Sequence, residues 1–128
     1  MEGFTKRKLQ LKCALALKCI LEENKAKWQE NKNSGKKDFL LISNLSQLSS
    51  STGLRPATIS NIFNGDTSPS ITNVHQILLA LNKNFTQFGY YFDQISDSEL
   101  EAFEQEISKK KDSEKIKKEI IKTKKLNK

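Results

Sequence analysis

A chain of 128 residues is long enough for one small domain with an extension, and too short for two domains that each bury a sizeable core. It has no run of about eighteen apolar residues to span a bilayer, only two cysteines and one histidine, and no glycine-rich phosphate loop or paired nucleophile and base. Membrane, disulfide-stapled, metal-centred and enzymatic classes are thereby set aside, and a formal net charge of +7 directs attention to acidic partners.

The opening "MEGFTKRKLQLKCALALKCILEE" interrupts its apolar stretch with lysines and ends in acids, unlike a secretory signal, so a cytoplasmic protein is expected. Leu11, Ala14, Leu15, Lys18 and Leu21 recur at steps of three and four, which predicts a long first helix over residues 4–30. Cys13 and Cys19 lie on different faces of that helix and without metal-ligand spacing, so they read as inert thiols. Trp28 is expected to cover an edge of the core. "NKNSGKKD" then breaks the pattern as a loop, and "FLLIS" leads into the next element.

Asn44 and Gln47 have the spacing of a capping box, which predicts a helix from Asn44 to about Thr52, where Gly53 supplies a left-handed stop. Leu54 and Arg55 make a turn, Pro56 suits the first position of a second short helix, and Gly65 ends it. Residues 44–64 therefore read as a helix-turn-helix. In the second helix Ile59, Ile62 and Phe63 fall within about a 100° arc, while the opposite side holds Ala57, Ser60, Asn61 and Asn64, with Thr58 and Arg55 at its margin. A solvated face on a lysine-rich chain would carry Lys and Glu. Small residues, amides and methyl groups instead suit close approach to base edges in the major groove.

Ser70 is placed to cap a further helix with Ile71, Val74, Ile77, Leu78 and Leu81 as its buried stripe, and another from about Thr86 would pack Phe85, Phe88 and Phe92. Ser98 with Glu101 repeats a capping signal, and Leu100, Phe103 and Ile107 continue an apolar stripe. His75, alone of its kind, reads as a surface or packing residue. Residues 1–38 hold ten Lys/Arg against five acids, residues 39–95 two against two, and residues 108–128 ten against three, so the basic charge sits at the ends.

The stretch "LSQLSSSTGLRPATISNIFNGDTSPSITNVHQILLALN" resembles the Cro/C1-type (XRE-like) helix-turn-helix family of phage and bacterial repressors. Leu48 and Ser49 fall at that family's Leu-Ala pair, Gly53 at its turn glycine, Ile59 and Ser60 at the Ile-Ser of its reading helix, Gly65 at the end of that helix, and Pro69 before the fourth helix. The resemblance implies base reading by Arg55, Ala57, Thr58 and Asn61, and phosphate contacts from Asn44, Ser46, Ser60 and Asn64. Because the middle of the chain is neutral, lysines from outside it, Lys36 and Lys37 among them, are expected to add phosphate contacts. The chain departs from the family pattern in Leu45 at a common phosphate-binding Gln position, in Phe63 at a frequent acidic one, and in a longer connection after the first helix.

The expectation is an all-α, five-helix, lambda-repressor-like domain over residues 1–95 with a charged, lysine-rich extension, helical or disordered, over residues 96–128. Its expected function is that of a sequence-specific transcriptional regulator, a repressor that binds double-stranded DNA as a homodimer and needs no cofactor or metal. Phe88, Tyr91, Phe92, Leu100 and Phe103 are the apolar residues expected to remain for the dimer interface. A reading from another class keeps the fold as a protein-interaction module, such as an antitoxin-like partner.

Overall fold

The computed structural model describes residues 5–33, 35 and 41–126. Their regular structure is helical throughout: α1 (Lys6–Asn33), α2 (Leu45–Thr52), α3 (Pro56–Phe63), α4 (Ile71–Ala80), α5 (Phe85–Gln94) and α6 (Asp97–Leu126). Among the described residues six helices thus stand where five and an extension were expected, the described part of the extension forming the single helix α6. Among the described residues no helix is long and apolar enough to cross a membrane.

α1 is the central element, packing against α3, α5 and α6, while α2 lies on α3 and α4. One core cluster joins Leu17, Ile20 and Leu21 of α1 to Leu48, Ile59, Ile62, Ile77 and Leu78. The other joins Leu11 and Ala14 to Ile95, Leu100, Phe103 and Ile107, and Phe88 and Tyr91 pack against both. Because neighbours press on α1 from two sides, its buried surface is wider than the stripe read from sequence and takes in Leu17 and Ile20. Lys18, placed on that stripe, keeps its ammonium 5.3 Å from the centre of the Phe103 ring.

The helix ends follow local capping chemistry in part and tertiary packing in part. Ser70 accepts from the Asn73 N–H at 3.1 Å, yet Ile71, expected in the buried stripe, is 78% exposed because α4 turns that first position away from the core. α5 begins through a complete capping box between Asn84 and Gln87. α6 starts two residues before the expected position: Ser96, not Ser98, accepts from the Glu99 N–H at 3.2 Å. Leu100 and Phe103 are buried against α1 and are not spare for a second copy.

Candidate nucleic-acid interface

α2 and α3 have eight residues each, too few to hold a helix in isolation. Their caps and tertiary packing fix them. The Asn44 Oδ1 accepts from the Gln47 N–H at 2.8 Å, while the Gln47 Oε1 accepts from the N–H of Ser43 at 2.8 Å. The reciprocal arm of the expected box therefore reaches one residue further back than Asn44 and ties the incoming chain, with Ser43 buried, to the first turn of α2.

The turn between the helices is held by hydroxyls. Gly53 is left-handed, with φ 76°, and its N–H closes on the Ser49 carbonyl at 3.0 Å. The Ser49 hydroxyl donates to the Leu54 carbonyl at 2.6 Å, and the Thr52 hydroxyl donates to the Leu48 carbonyl at 2.7 Å while accepting from the Leu54 N–H at 3.2 Å. Ser49 thus gives the Ala position of the resembled pattern a bonding task that alanine could not perform.

α3 starts at Pro56 from an extended Arg55 that makes no side-chain cap bond, which leaves the guanidinium uncommitted to the helix end. Ile59, Ile62 and Phe63 are buried as expected. Ala57 and Asn61 are exposed and Thr58 half-buried on the other side, and these three fall within about a 100° arc. At the far end the Asn64 side-chain amide donates to the Ser60 hydroxyl at 3.4 Å. The loop beyond folds back, with the Asp66 N–H bonded to the Asn61 carbonyl at 2.9 Å.

Asn44 and Asn64, far apart in sequence, line one groove together with Leu45 and Phe63. Its walls come from α1 and α6: Lys18, Glu22 and Lys25 on one, Glu106 and Lys110 on the other, with Lys18 and Glu106 paired at 3.8 Å. Leu45 is thereby accounted for as groove lining. Ser46 is exposed on the first turn of α2, while Lys36 and Lys37 lie outside the described residues. The lysines that line this groove are Lys18, Lys25 and Lys110; Lys110 belongs to the lysine-rich run after Ser108 expected to supply phosphate charge, whereas Lys18 and Lys25 of α1 reach this place only through packing.

Residues 37–88 match the family model described as Helix-turn-helix. No curated protein and no solved structure matches the chain. The segment 37–88, with the capped α2, the glycine turn and the polar outer face of α3, belongs to the Cro/C1-type (XRE-like) helix-turn-helix family.

Proposed function

We propose that the protein is a transcriptional repressor that reads the major groove of cytoplasmic double-stranded DNA with α3, residues 1–95 forming the DNA-binding unit and residues 96–128 its charged extension. The observation that carries this reading is the outer face of α3, where Ala57, Thr58 and Asn61 present small and hydrogen-bonding groups in a chain of net charge +7. Asn61 can pair bidentately with adenine, Arg55 with guanine, and the methyl groups of Ala57 and Thr58 can meet thymine. Asn44, Ser46, Ser60 and Asn64 position the module on phosphates, with Lys36 and Lys37 adding charge.

The functional unit is a homodimer, since paired half-sites about one helical turn apart give this kind of module its usual site. A face of α4 and α5 supports it: Ile71 and Leu79 are 78% and 60% exposed, and between them His75 stacks on Phe85 at 5.8 Å. Residues 67–82 contain no charged side chain, which lets two positively charged copies approach there. Phe88, Tyr91 and Phe92 are half-buried and pack on the core.

Selection of bound sequences from a random duplex pool, at stated salt, tests the reading. Enrichment of one two-fold symmetric motif is expected. Retention of the pool without enrichment would refute sequence-specific regulation, and a motif lacking symmetry would refute the dimer.

A further inference from the structure

α6 lies beyond the family segment, yet it returns to the end of the reading helix. The Lys111 ammonium sits 2.8 Å from the Asp66 carboxylate, whose residue directly follows the glycine that ends α3. The Asp66 backbone is held in place, because its N–H is bonded to the Asn61 carbonyl and its loop is fastened from the other side by α1. There the Arg7 guanidinium donates to the Gly65 carbonyl, and the Gln10 amide donates to the Ser68 hydroxyl at 3.0 Å. Arg7 in turn stands 3.9 Å from Glu104 of α6. Glu104 and Lys111, seven residues apart, share one side of that helix. One position before Lys111, Lys110 lines the groove that holds Asn44 and Asn64.

On the DNA-binding reading, a carboxylate on the loop that ends the reading helix would face the phosphate backbone and oppose its approach. The ammonium of Lys111 cancels that charge at the point where it arises. Lys110, on the neighbouring side of the helix, faces the same groove as the two asparagines assigned to phosphate, where Lys18 and Glu106 already neutralise each other. We propose that α6 is part of the DNA interface: Lys111 neutralises Asp66 so that the backbone can close on the end of α3, and Lys110 contacts the phosphate held by Asn44 and Asn64. This inference rests on the DNA-binding reading above.

The test is a charge-balance cycle on the full-length protein, titrated with its selected duplex over a range of salt. Both side chains of the Lys111–Asp66 pair are partly exposed, so their exchange leaves the fold intact, as equal thermal melts would verify. Lys111→Ala should weaken binding about three- to tenfold at low salt, and Asp66→Asn should tighten it. The double variant should return to within about twofold of the unaltered protein, because one positive and one negative charge leave together. Lys110→Ala should weaken binding with or without Asp66 and lower the salt slope by roughly 0.9.

A latch whose only task is to hold the loop would make Asp66→Asn weaken binding as Lys111→Ala does, which overturns the proposal. So does a double variant as weak as Lys111→Ala alone, since Lys111 would then touch phosphate directly. An unaltered affinity in Lys111→Ala, or an unaltered slope in Lys110→Ala, overturns it too. Failure of the unaltered protein to bind any duplex would defeat the functional reading itself.

Discussion

Asn61 sits at the centre of the polar arc of α3, and its own backbone carbonyl holds the following loop through the Asp66 N–H. The backbone that carries its amide is therefore held, as specific recognition needs. Asn61→Ala is expected to cost about 1–3 kcal/mol on the preferred duplex and to relax the preference at one base pair. Titration of that duplex and a scrambled one separates the roles: equal losses on both would make Asn61 a positioning residue only. Other residues that could suggest chemistry have quieter tasks. Burial pushes the Cys13 thiol up to about 11, which keeps it protonated and unreactive at neutral pH. Tyr91 bonds the Glu23 carboxylate, and that bond, with burial, pushes its phenol up to about 12.

At the scale of elements, the two glycines that frame α3 share a left-handed backbone and differ in surroundings. Gly53 has φ 76° with open space where a Cβ would stand. Gly65 has φ 70°, and a Cβ there would meet the Leu11 Cδ2 at 3.1 Å and the Leu11 Cα at 3.4 Å. Gly53→Ala should cost only the backbone strain, about 1–2 kcal/mol. Gly65→Ala should cost about 2–4 kcal/mol, since α1 must also give way. Denaturant unfolding ranks the two variants. A Gly65→Ala protein as stable as Gly53→Ala would mean that α1 does not press on the end of α3.

Over the whole molecule the division of charge matters most. The last 21 positions, residues 108–128, hold ten lysines and three acids, and α6 runs as far as Leu126 from a base packed on α1 through Leu100, Phe103 and Ile107. Removing residues 108–128 spares that base and strips the lysines. Affinity for every duplex should fall by a similar factor, and the salt slope should lessen by about two to four. The selected motif should survive. A changed motif would place part of α6 in a groove.

The helical class, the short pair α2 and α3, the left-handed role of Gly53 and the buried triad Ile59, Ile62 and Phe63 were all legible in the sequence. Each depends on local spacing or on the preference of one residue type for one backbone state. The polar face of α3 was legible for the same reason. What the sequence left open depends on which distant surfaces meet. Ser98 and Ser96 offer equivalent caps until packing on α1 sets where α6 begins, and Leu100 and Phe103 look spare until α1 covers them. The pairing of Lys111 with Asp66, and the meeting of Lys25 and Lys110 with Asn44 and Asn64, join residues far apart in the chain. No local pattern encodes such meetings. They follow from a central helix buried on two sides, which brings α3 and α6 to the same end of the fold.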